Sequence, residues 1–71
     1  MITVENIVEK DGKRYLDIRI WSACCKTRFL AEDQGSELLN ITTGDYLYKG
    51  MVNSVRIAER KYADEMRKMR K

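Results

Sequence analysis

Histidine and proline are both absent from this chain, and its four glycines are scattered. Without histidine it lacks the commonest general base near neutral pH and the commonest metal ligand. The glycines spell neither GxGxxG nor GxxxxGK[ST], which excludes the usual phosphate loops of nucleotide enzymes. The lack of proline leaves no obvious boundary, and 71 residues have room for one domain. Cys24 and Cys25 are the only cysteines. Adjacent residues are poorly placed to bridge, and one pair cannot complete a four-ligand zinc site. With no His or Asn partner nearby, Lys26 and Arg28 are too little to make either thiol a nucleophile. Both cysteines are therefore expected in buried or half-buried structural roles, in a reducing compartment. No leader of signal-peptide form and no apolar run near 18 residues occurs, so the expectation is a soluble, cytoplasmic protein. The 11 acidic residues form no convincing catalytic pair. The chain reads as a non-enzyme that needs neither cofactor nor metal.

What is present is organised around the last third. Thr42 and Asp45 have capping-box spacing, and Ile41 and Tyr46 stand where a hydrophobic staple would stand. From there Tyr48, Met51, Val52, Val55, Ala58, Tyr62, Met66 and Met69 recur at three- and four-residue steps, the period of one helical face. Lys49, Asn53, Arg56, Arg60, Arg67 and Lys71 follow the same period on another face, and Arg67, Lys68, Arg70 and Lys71 suit the negative end of a helix. The spacing predicts one helix over 42–71, weakened only at Gly50, which costs about 1 kcal/mol against alanine.

The first 41 residues carry the alternation of strands. Ile2 to Glu9 is rich in Ile, Val and Thr and ends at Asp11-Gly12, a tight-hairpin pair. Its parity is imperfect, because Ile2, Val4 and Val8 share one face while Ile7 has the other, so a bulge or an edge position is expected. In Lys13 to Trp21, Leu16, Ile18 and Ile20 should face the helix, and Tyr15, Asp17, Arg19 and Trp21 should face away. Trp21, at the strand's end, could instead pack under the helix or within a dimer. After a break near Ser22 and Ala23, Cys24 to Ala31 reads as a third strand, with Cys25, Thr27, Phe29 and Ala31 inward and Lys26, Arg28 and Leu30 outward. Asp33-Gln34-Gly35-Ser36 is a turn by composition. Glu37 to Ile41 is a short fourth strand or a single helical turn, the strand being preferred. The expected fold is α+β: a small antiparallel sheet of three to four strands with one long C-terminal helix across one face.

Two surfaces follow. A helix of some 28 residues would span about 42 Å, against about 26 Å for an eight-residue strand, so the helix should overhang the sheet. Val55, Tyr62, Met66 and Met69 would then serve self-association with a second copy or a partner helix, unless the last turns fray. Assembly would also help a chain this short, which buries only about 60% of its unfolded surface. On the outer sheet face Tyr15, Arg19, Trp21, Lys26 and Arg28 mix rings that stack on bases with cations that meet phosphates. Lys49, Arg56, Arg60 and Arg67 could follow a phosphate backbone, although Glu59, Asp64 and Glu65 interrupt that field. The first expectation is a homo-oligomer binding an anionic partner, nucleic acid or nucleotide, without contact with a membrane. In general character the chain also resembles the small accessory proteins of bacteriophages, including inhibitors of host defence. That resemblance implies the alternative, an inhibitor or adaptor that docks on a larger host protein and blocks it by occlusion.

Overall fold

The computed structural model describes residues 1–69. Four strands, β1 (Ile2–Lys10), β2 (Lys13–Trp21), β3 (Lys26–Asp33) and β4 (Leu38–Asn40), form an antiparallel sheet in chain order, and one helix, α1 (Lys49–Met69), packs across one face. The two layers make a flat molecule, 37 × 35 × 18 Å. This is the α+β arrangement expected from the alternation.

The β1–β2 connection is set by Asp11 and Gly12, both left-handed at φ 55° and 77°, the pair of angles that a two-residue hairpin turn requires. The uneven parity of β1 resolves into a bulge. Val4 pairs with Ile18 and Asn6 with Asp17, leaving Glu5 as the extra residue. That insertion lets Ile2 and Val4 before it, and Ile7 after it, all pack towards the core. Leu16 and Ile18 of β2 are fully buried, opposite Ala31 and Phe29 of β3. Val4, Ala31, Leu38 of β4 and Val55 of α1 complete the core. Met51, Val52, Ala58 and Tyr62 close over it from the helix.

Three expectations need correction. The helix starts at Lys49, not Thr42. Asn40 Oδ1 accepts the backbone N–H of Thr42 at 2.9 Å and of Thr43 at 3.3 Å, Gly44 N–H returns to Asn40 O at 2.8 Å, and Asp45 N–H takes the Thr43 hydroxyl at 3.2 Å. Short polar side chains here satisfy the backbone locally and outcompete the helix. Gly44, at φ 80°, turns the chain back so that Leu47 N–H bonds Leu38 O and Tyr46 bridges Leu39. The Thr42/Asp45 capping box and the Ile41/Tyr46 staple are thus parts of a turn. Gly50 falls in the first turn of α1, under the Tyr48 ring. Cys24 and Cys25 are exposed free thiols, because the turn closed by Ser22 N–H to Cys25 O lies beyond the end of the core. Finally, the 21 residues of α1 span about 32 Å, nearly the same as the nine-residue strands beneath at about 30 Å. Met66 and Met69, 45% and 78% exposed, lie past the core because of where the helix sits, not because it is too long.

Candidate functional site

What seats the helix is a closed ring of charge. Arg56 of α1 reaches both oxygens of Asp33, at 2.8 and 2.9 Å, and Glu59 at 2.9 Å. Arg14 of β2 reaches Asp33 at 2.7 Å and Glu59 at 2.5 Å. Each arginine therefore meets both carboxylates, and each carboxylate meets both arginines. The Asp33 side chain is 10% exposed and that of Glu59 16%. The Arg56 guanidinium, with smaller help from the Gly35 N–H and Arg14, holds the Asp33 carboxyl well below the usual carboxylate range against the opposing effect of burial. Asp33 in turn raises Arg56. For Arg14 burial alone acts downward, and the bonds to Glu59 and Asp33 outweigh it. Arg56 is consequently no open phosphate contact, because its guanidinium is turned onto the sheet. The other stripe residues do not join it. Lys49 and Arg60 are exposed, Arg67 lies 3.4 Å from Asp64, and Lys71 falls outside the described residues.

With α1 on one side, the opposite face of the sheet has no layer over it among the described residues. The strand register sorts that face into rows. One row runs Val8, Tyr15, Glu32, Leu39, Tyr46 across every strand and the bridge beyond β4. The next holds Asp17 and Leu30, with Ile41 beside Leu30 through a 3.1 Å backbone bond. Then come Arg19 opposite Arg28, and Trp21 opposite Lys26. One end of the face is therefore apolar and aromatic, and the other cationic and aromatic. Val8, Leu30, Ile41 and Tyr46 are between 40% and 53% exposed, large side chains left open on one surface.

Tyr15, Arg19, Trp21, Lys26 and Arg28 do share this face, as the alternation of β2 and β3 implied. Trp21 is on the outer side, not beneath the helix, with the Arg19 guanidinium 5.0 Å from its ring centroid. Arg28 is forked onto Asp17 through Nε at 3.1 Å and Nη2 at 2.8 Å, which raises its pKa and relieves its repulsion with Arg19. Of the residues expected to serve self-association, Val55 is fully buried in its own core and so cannot meet another copy. Tyr62 packs on that core, and its hydroxyl bonds Asn6 Oδ1 at 3.2 Å. Met66 and Met69 stay exposed.

A second feature lies where β1 forms the sheet edge. Met1 to Glu5 and the helix residues Ser54, Ile57, Ala58, Lys61, Tyr62 and Glu65 line a groove of about 470 Å³. Ile57 is 67% exposed. Sequence reading missed Val8, Leu39, Ile41, Tyr46 and Ile57. The signal for Ile57 was present, since it is an apolar residue off the helical stripe. That for Ile41 and Tyr46 was masked by their fit to a staple. Among the described residues no helix is long and apolar enough to cross a membrane. No family model, curated protein or solved structure matches the chain.

Proposed function

We propose that the protein works by binding rather than catalysis. Its open sheet face docks on a larger protein that offers an apolar surface with an acidic margin, and it acts as an inhibitor or adaptor by occlusion. The supporting observation is that Leu30, Ile41 and Tyr46, with Val8 at the opposite edge of the sheet, are left uncovered on a face whose far end carries Arg19, Trp21 and Lys26. Tyr, Trp and Arg around an apolar centre are the composition of interface hot spots. Charge favours this over a polyanion. Arg19, Lys26 and Arg28 share the face with Asp17 and Glu32, and Arg28 is already engaged by Asp17. A face balanced in this way attracts phosphates weakly at long range.

The single-stranded nucleic acid or nucleotide reading keeps one observation of its own, the Arg19–Trp21 stack with Lys26 opposite it. A paired experiment separates the two readings. Cross-linking from a photoreactive residue at Leu30, in nuclease-treated lysate of the native host, should give one discrete adduct that Ile41→Glu abolishes. Fluorescence anisotropy with labelled oligonucleotides should show no salt-dependent binding. Salt-dependent binding lost in Arg19→Ala, with no Leu30 adduct, would establish the nucleic-acid reading instead.

A further inference from the structure

We infer that the β1 edge is a self-association surface, and that its occupant is the β1 edge of a second copy, antiparallel and related by a two-fold axis near Thr3. Met1 and Trp21 exchange N–H and C=O in both directions, at 2.8 and 2.9 Å. That makes them a hydrogen-bonded pair of the ladder, so alternation turns the backbone groups of Thr3 inward to β2 and those of Ile2 and Val4 outward. Past the bulge the outward N–H of Ile7 is taken by Asn6 Oδ1 at 2.9 Å, and Tyr62 holds the same oxygen. The edge is thus closed by its own side chains at Ile7. It stays open at Ile2 and Val4, beside the groove under Ile57.

An antiparallel partner centred on Thr3 sets Ile2 of one copy against Val4 of the other, and the two exchange the backbone bonds that each edge lacks. The helix lip above is complementary to itself. Ile57, Lys61 and Glu65 stand at four-residue steps along the groove. A two-fold axis brings the neighbouring α1 antiparallel, with Lys61 of each copy against Glu65 of the other and Ile57 at the flanks. Such pairing makes one continuous sheet with both helices on one side, so both open faces point the same way and offer two docking surfaces to one partner.

Sedimentation equilibrium on the full chain tests this. The wild type should be a dimer. Ile57→Glu, at a largely exposed position, should shift it to monomer with an unchanged circular dichroism spectrum at low temperature, and should remove the concentration dependence of the wild-type melt. Lys61→Glu and Glu65→Lys should each weaken dimerisation at least tenfold, and the doubly exchanged chain should recover it. A monomeric wild type at all concentrations, or a dimer indifferent to Ile57→Glu and to the charge exchanges, would overturn the inference. Met66→Glu should leave the dimer intact, and dissociation by that variant alone would place the contact at the helix end instead.

Discussion

The Arg56 guanidinium grips the Asp33 carboxylate through two bonds, 2.8 Å from Nη2 to Oδ1 and 2.9 Å from Nη1 to Oδ2, joining the first half of α1 to the end of β3. Because the pair is largely shielded, its loss falls between the cost of an exposed and of a buried ion pair. Arg56→Ala should lower stability by about 2 kcal/mol. Urea denaturation should show a lower midpoint at unchanged slope.

The same pair predicts acid lability. Asp33 is depressed in the folded chain relative to about 3.9 when unfolded, so the unfolded state binds the proton more readily. Its contribution is fully present above that value and is lost as pH falls from about 4 through the folded pKa. Thermal melts from neutral pH downward should show this decline in the wild type. Asp33→Asn should be less stable at neutral pH and show a shallower acid limb.

Val55, fully buried, belongs to the core of a single chain. Removing two of its carbons by Val55→Ala should cost about 2 kcal/mol. Met69→Ala, at a residue 78% exposed, should change stability by less than about 0.5 kcal/mol. Chemical denaturation of the two variants in parallel distinguishes core from surface on the same apolar stripe.

Asn40, whose side chain accepts two backbone N–H groups, organises the turn before α1. Asn40→Ala should destabilise by about 1 kcal/mol, whereas Thr42→Ala should be nearly neutral. If Thr42 capped a helix instead, its replacement would cost about 1 kcal/mol as well. Comparison of the two melting curves, with helix content from circular dichroism, decides between turn and cap.

The strands were readable because their signal is local. Leu16, Ile18 and Ile20 alternate with polar residues, and Asp11-Gly12 carries the turn in its own backbone preferences. Even the bulge at Glu5 was visible, as the change of parity between Val4 and Ile7. The start of α1 was not, because Thr42, Asp45 and their neighbours satisfy the pattern of a helix cap and of a polar turn equally well. Gly44 and the pairing of Leu47 with Leu38, a contact across the chain, select the turn.

The face of β2 and β3 that carries Tyr15, Arg19, Trp21, Lys26 and Arg28 was determined by sequence alone, since a period of two assigns each side chain to one side of a sheet. Which charges remain available to a partner was decided only by tertiary structure. Arg14, Asp33, Arg56 and Glu59 come from three separate elements, and Asp17 lies 11 positions from Arg28. A charge's neighbours in space are set by how layers and strands meet, and no periodicity along the chain encodes that.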